Sequence, residues 1–427
     1  MADSTPTSKA FWEGLTPSVS SGLASVAEAG RAALDRLPVP TRRSERWKYS
    51  PLTGMLAQPL NSPKAPHDIP EDVHVQPIPG LDAYRVVLVN GHVVTEACDL
   101  PVAEGVICMP LFQALDEGRL QGGDADWSGY HEREWVGALH AAHAQDGVYL
   151  ELESGVTLDR PLLVHHHVTG SNVAVCPRHR IVMGDQSSAE VVVWHSSSSE
   201  ATGMVNALLE GHVGRGARLG LDKVQNEQGK VFHLAHEHVT QASDSTFRIH
   251  TMTVQGHWVR NELNVAQKGR GAHTVMHGVY LPKDHEHVDN HTTMDHTVPN
   301  CTSSELYKGI LYDRSTGVFN GKVFVRQEAQ QTNAYQQNAN IVADQGASIN
   351  AKPELEIYAD DVKCSHGCTV GQFDDEALFY LESRGIGERA ACALMVQAFI
   401  GDVLAGMGSE EVAAEVETLL SERHGWM

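Results

Sequence analysis

The chain has 427 residues and a formal net charge of −22. That sign argues against a phosphate-backbone or anionic-membrane ligand, both of which need clustered Lys and Arg, and it suits a protein partner or a cationic metal better. No apolar run approaches the ~20 residues of a membrane span. The N-terminus, MADSTPTSKAFWEGL, lacks the basic-then-apolar pattern of a secretory signal, so a soluble cytoplasmic protein is expected, its seven scattered cysteines reduced rather than paired.

Residues 1 to roughly 60 read as helical. Leu23, Val26, Ala27, Ala33, Leu34 and Leu37 recur at three-to-four spacing, and Pro38 and Pro40 end the pattern. The stretch SERWKYSPL at 44–52 reads as a turn whose aromatics, Trp47 and Tyr49, pack on that helix. Residues 61–80, rich in proline and polar groups, read as a linker. Residues 84–94 carry β-branched runs around Asn90-Gly91, a two-residue hairpin signature, and a helix is expected over 135–144.

From about 147 to 371 the texture changes to short β-rich runs separated by Gly, Asn, Asp and Ser corners, with GRGA at 214–217 and again at 269–272. No useful helical period appears there, which suggests a sandwich, a barrel or a β-solenoid. The Asn- and Gln-rich run QQTNAYQQNANIVAD at 330–344 favours the solenoid, whose stacked coils align side chains in ladders. Residues 373–427 return to helix. Asp374 is placed to cap, Asp375 and Glu376 put negative charge in the first turn, and Gly385 can stop the helix. Cys392, Met395, Val396, Phe399, Val403 and Met407 then form an apolar stripe, and a further helix starts after Ser409. Such a helical pair can cap the open end of a solenoid or dock a partner. Three regions follow: a helical and mixed N-terminal region at 1–146, a β core at 147–372 and a helical C-terminal region at 373–427.

The densest soft-ligand point is a Cys-Ser-His-Gly-Cys turn, Cys364, His366 and Cys368 within five residues. Thiolates and imidazole suit iron, zinc or copper(I). A structural zinc site normally takes four ligands, and no second Cys or His pair stands at comparable spacing. The plain alternative is a turn that holds two small thiols and a solvated imidazole.

YADDVKCSHG, then TVG, then LFYLESRGI, spread over 355–386, resembles the C-terminal motif of the SufD proteins, scaffold subunits of the Suf iron–sulfur cluster assembly machinery. Similar elements recur along the chain: WKYSPL near the start, the entry into the core at 144–167, Phe319–Gly321, and Ala329-Gln330 of an A-Q-x-T-x-A motif. SufB, the family member most easily confused with SufD, is generally longer and lacks CSHG-TVG before LFYL. The resemblance implies a right-handed parallel β-helix with flanking helical regions. It also implies a non-catalytic scaffold that pairs with a SufB-like subunit through the last β-helix turns and holds a SufC-like ATPase through helices near 376–407. Glu376, Phe379, Tyr380, Arg384 and Phe399 are the candidate contacts for that ATPase. Carried over residue by residue, the motif assigns cluster assembly at the SufB interface to His366 first and Cys364 second. Cys368 departs from the family, which usually has alanine there, and its place as a ligand is open. Iron and sulfide would form a transient cluster at that interface, and an incomplete ligand set suits a site that must accept a cluster and release it. The isolated chain is a candidate for self-pairing.

A second group, DHEHVDNHTTMDH at 284–296, would align His285, His287, Asp289 and His291 on one side of a strand. Two histidines at i and i+2 beside a carboxylate can bind zinc, iron or manganese, as in cupin-type barrels; a polar ladder on the solenoid surface is the reading taken. Matching family stretches cover Asp289, His291, Thr292, His296, Pro299 and Cys301, with no ligand role implied. His236 with His238, and the run His165–His167, receive the same plain reading, because consecutive residues point to opposite faces. The chain has no GxxxxGK[ST] phosphate loop, no GxSxG elbow and no Rossmann fingerprint, so no bound nucleotide is expected and energy must come from a partner. The rivals are a cupin-like metal-dependent enzyme using His285, His287 and His291, and a β-helix carbohydrate-active enzyme. Against the latter stands the lack of a persuasive carboxylate pair.

Overall fold

A computed structural model describes residues 11–12, 14–15, 21–65, 69–71, 73–120 and 129–426. Its body is a β-solenoid of about 8 turns. From Ser188–Ser197 onward the chain alternates between two sheets, and each strand pairs in parallel with the next but one in sequence. Parallel pairing without crossover helices needs tight corners, and the sequence supplies them in register. Gln186, Gly216, Asp244, Gly271, Asn300 and Gln331 all have positive φ and stack at one corner of successive coils. The repeated GRGA stretches supply Gly216 and Gly271 of that column, where the left-handed backbone favours glycine, asparagine and aspartate.

Alternation divides each strand into an inner and an outer face. Inside, one part of the core is aliphatic, built from residues such as Leu150, Ile181, Leu219, Ile249, Val265 and Met294. The rest is a buried polar seam. His166 stacks on His195 at 4.7 Å between ring centroids, His233 meets Glu227 at 2.8 Å, and Lys223 donates to Glu237 at 2.6 Å. Farther along, Asn261 donates to Asn290 at 2.9 Å. Buried polar groups are tolerated because they find partners on the neighbouring coil.

The hairpin at 84–94 forms as expected: Tyr84–Val89 and His92–Val93 pair antiparallel across Asn90 and Gly91, both at positive φ. Tyr84–Val89 also pairs with Leu162–Val168 and so extends one sheet. Helices Ala24–Arg36 and Trp135–His143 lie together on the solenoid flank, the latter buried along its whole length. The helical reading of residues 1–60 is only partly met among the described residues; positions 1–10, 13 and 16–20 lie outside them. The stretch at 61–80 is no free linker, because Val73 packs on Val87 and Val89 while Ile78 and Leu81 pack beneath the C-terminal helices.

The 44–52 stretch is a clamp that buries Trp47, Ser50 and Leu52. Trp47 packs on Arg260, whose guanidinium carbon lies 3.9 Å from the ring centroid, whereas Tyr49 is exposed. Arg260 donates to the Arg46 carbonyl at 2.9 Å and pairs with Glu262 and Asp289; Arg46 in turn reaches Glu262 at 2.8 Å. Burial works against the charges of Glu262 and Asp289, but the surrounding cations hold both carboxyls below their usual range. Truncating one member would strand the rest.

The C-terminal helices Glu388–Leu404 and Glu410–His424 do not cap the open end. Val396, Ile400, Val403, Val412 and Val416 dock on the outer face of one sheet, against Trp194, Met252 and Val279. The last coil therefore ends in two unpaired edges, Ser348–Ile357 and Val362–Gly371. The first carries Lys352, Pro353, Glu354 and Glu356, residues that guard edges; the second carries no such guard past Lys363. Among the described residues no helix is long and apolar enough to cross a membrane.

Arg260→Ala should lower stability by about 3–5 kcal/mol, because it strips buried Asp289 of its arginine and leaves buried Glu262 with Arg46 alone; urea unfolding measures this, and a change under 1 kcal/mol would refute the clamp.

Candidate functional site

The sequence reading put Cys364, His366 and Cys368 in a turn. They lie instead inside the ten-residue strand Val362–Gly371, the last of its sheet. The correction has a physical cause: residues 362–371 continue the ladder of Thr332–Val342 without a break, from Val362 opposite Thr332 to Gly371 opposite Ile341. It also changes the chemistry. A turn can converge two thiols, but on a strand residues i and i+2 stand about 6.6 Å apart and i and i+4 about 13 Å. Cys364 with His366, or His366 with Cys368, can share one ion; both thiols cannot. Accordingly, among the described residues no three His, Cys, Asp or Glu side chains are gathered closely enough to hold a metal ion.

All three residues belong to the inward face. Cys364 stands over buried Ala334, His366 over Gln336, and Cys368 over Asn338. No further coil covers them, so what would be core is an open mouth: His366 and Cys368 are exposed and Cys364 is half-buried against the apolar core. Burial raises the Cys364 and Cys368 thiols above the ordinary value, more than the neighbouring backbone offsets at Cys364. The Cys368 S–H donates to Asn338 Oδ1 at 3.8 Å.

Sequence reasoning missed what lies beneath. Gln336 Nε2 donates to Glu305 Oε2 at 2.7 Å, and the Thr292 hydroxyl donates to the other Glu305 oxygen. Glu305 is only 3% exposed, one coil below Gln336 and two below His366. Burial pushes its carboxyl up to about 7 although Gln336 and Thr292 favour the charged form. The signal that finds it is the register: stepping back one coil at a time from His366 along the inward row leads to Gln336 and then Glu305.

The second histidine group resolves differently. His285 is exposed and precedes the strand His287–His296. His287, Asp289 and His291 share the outer face, as alternation predicts, but the 44–52 clamp covers them. Ser50 Oγ meets His287 Nε2 at 2.8 Å and donates to Asp289, and Arg260 lies 3.1 Å from His291 Nε2. These groups are occupied in holding the clamp, a buried network where a surface ladder was expected. His165 and His167 both meet Ser196 Oγ, at 2.8 and 2.9 Å, and His236 and His238 pack on the Tyr130 ring.

Of the candidate partner contacts, Glu376, Phe379 and Tyr380 sit on Asp375–Ser383, a helix that buries none of its residues; Asp374 caps it by accepting from Glu376 and Ala377. Phe379 is 71% exposed and Tyr380 55%. Arg384, just past the helix, donates to the Tyr380 hydroxyl at 2.8 Å. Phe399 is separate from these: its ring and carbonyl receive Lys308, on the side facing the solenoid.

A raised carboxyl stabilises the fold while neutral. The Glu305 contribution is complete below about 4.5 and is lost as pH rises through about 7. Stability measured in urea should fall between pH 5 and pH 8 by on the order of 2 kcal/mol, and Glu305→Gln should flatten that slope; an unchanged slope would count against the buried acid.

Comparison with known proteins adds the following. The family model described as the SufBD core domain of the SUF FeS cluster assembly system matches residues 166–399, and the model of the SufBD N-terminal region matches 13–164. The chain is 30% identical to the iron–sulfur cluster assembly protein SufD of Escherichia coli, over 91% of this chain and 90% of that protein. It is 28% identical to a SufBD family protein of Synechocystis, over 87% of this chain and 84% of that one. It is 23% identical to SufB of Bacillus subtilis, over 62% of this chain.

Proposed function

The chain belongs to the SufBD family of iron–sulfur cluster assembly proteins, and from that membership we propose that it is a SufD-like scaffold whose unfinished last coil joins a SufB-like subunit. The observation that carries this reading is the open mouth: an edge strand with free backbone groups whose inward face bears Cys364, His366 and Cys368. Pairing with another strand satisfies such an edge, and a joined subunit would bring the ligands that the mouth lacks.

Iron and sulfide are cargo in this account. Cluster iron takes thiolate ligands and accepts imidazole in their place, so His366 with Cys364 is the expected half-set, with Cys368 a third donor that the strand spacing keeps from joining Cys364 on one ion. A half-set binds weakly by itself, which lets a nascent cluster be passed on once the subunits move apart. The work of moving them falls to a SufC-like ATPase, since this chain has no phosphate-cradling loop. The exposed Phe379 and Tyr380, on a helix that buries none of its residues fully, support a docking surface for that ATPase beside Glu376 and Arg384. Assembly of this kind needs no membrane or nucleic acid and fits the cytoplasm. In the isolated chain the same edge would serve for self-pairing.

Two measurements test this. In a complex co-expressed with SufB- and SufC-like partners, His366→Ala should retain the partners but lose most of its iron and sulfide; wild-type iron and sulfide content would overturn the reading. Phe379→Asp with Tyr380→Asp should abolish co-purification of the ATPase while the SufB-like subunit stays bound, and retention of both would remove this helix from the interface.

A further inference from the structure

We propose that Gln336 is a positioning residue for His366: its free Oε1 accepts one ring N–H of the imidazole and leaves the lone pair of the other ring nitrogen facing the open mouth. The proposal rests on the reading in which His366 meets the cargo, and it adds how the ring is made ready.

The geometry comes from three directions. Gln336 and His366 are register partners on adjacent strands, both on the inward face, and adjacent strands lie about 4.8 Å apart, within reach of a side-chain hydrogen bond. The Gln336 amide is held from below, because Nε2 donates to Glu305 Oε2 at 2.7 Å and Glu305 is itself fixed by Thr292. Its other arm, Oε1, is buried and has no partner. A buried acceptor left unmet costs about 1–3 kcal/mol, which a donor on the next rung would relieve.

The opposite sheet makes room for this amide. A Cβ on Gly321 would lie 2.4 Å from Gln336 Nε2, so only glycine leaves the space the amide occupies. That gives a structural reason for the Phe319–Gly321 pattern, which by itself says nothing of chemistry. The other two mouth residues lack an equivalent. Ala334 under Cys364 offers no polar group. Asn338 under Cys368 is already engaged: its Oδ1 accepts from Asn340 at 2.6 Å and from the Cys368 S–H at 3.8 Å, and its Nδ2 donates to the Tyr307 carbonyl at 3.1 Å. Among the three, only His366 stands over a held amide with an open acceptor.

The hydrogen bond on one imidazole nitrogen decides which nitrogen is left to ligate, and losing such a supporting group typically costs about 10-fold or more in metal affinity. Two-bond 1H–15N spectra of the full chain labelled with 15N-histidine report the tautomer, and His366→Ala identifies the signal. The wild type should hold His366 in one tautomer. Gln336→Leu, and separately Gly321→Ala, should return it to the mixture of an unrestrained imidazole and cut iron and sulfide in the co-expressed complex about 10-fold. A mixed tautomer in the wild type would overturn the proposal without any variant having to fold. So would an unchanged ring in both variants. If His366→Ala loses its cargo while both variants keep theirs, positioning by Gln336 fails and the scaffold reading stands. If His366→Ala keeps its cargo, the scaffold site fails, and the tautomer alone decides Gln336.

Discussion

A parallel solenoid meets the needs of each coil with the next one. Backbone N–H and C=O groups, inward aliphatic side chains and buried amides such as Gln336 find partners one rung along. The rule has an unavoidable exception at the last rung, where the same residues have nobody above them. Everything distinctive about this chain follows from leaving that rung bare. The C-terminal helices were available to cover it and instead lie on a sheet face, held by Val396, Ile400 and Val403. The mouth is thus a section cut through a core, with core geometry and surface access together.

Such a section must be rigid to be useful, and the remaining parts supply rigidity. The aligned left-handed corner residues set the path of each coil. The clamp at 44–52 ties the N-terminal region to the outer face of the other sheet through Trp47, Arg260 and Asp289. Its charges resemble a metal-binding group in one dimension and are a sealed ion network in three. His287 and His291 have partners already, whereas His366 is exposed at the open mouth, in register with Gln336.

The β-rich core was legible in the sequence because strand alternation and corner residues are local signals; these left a sandwich, a barrel or a solenoid open, and it was the Asn/Gln run together with the family resemblance that pointed to the solenoid the structure shows. The hairpin at Asn90-Gly91 and the cap at Asp374 were legible for the same reason. What escaped was whatever depends on stacking between distant rungs. Cys-Ser-His-Gly-Cys reads as a turn by composition, and only pairing with Thr332–Val342 extends it into a strand. Glu305 looks like one more surface carboxylate until the register sets it beneath Gln336. The 61–80 stretch looks like a linker because its few apolar residues follow no period, yet Val73 and Ile78 are buried, as is Leu81 just beyond it.

The two bare edges are unequal. Lys352, Pro353, Glu354 and Glu356 discourage strand addition on one wall, while Val362–Gly371 presents an unguarded ribbon on the other. A visiting strand therefore has a single favoured berth, and once moored there it would shut only half of the rim. The joint would then run along one side alone, with the wall that carries Lys352, Glu354 and Glu356 left outside it.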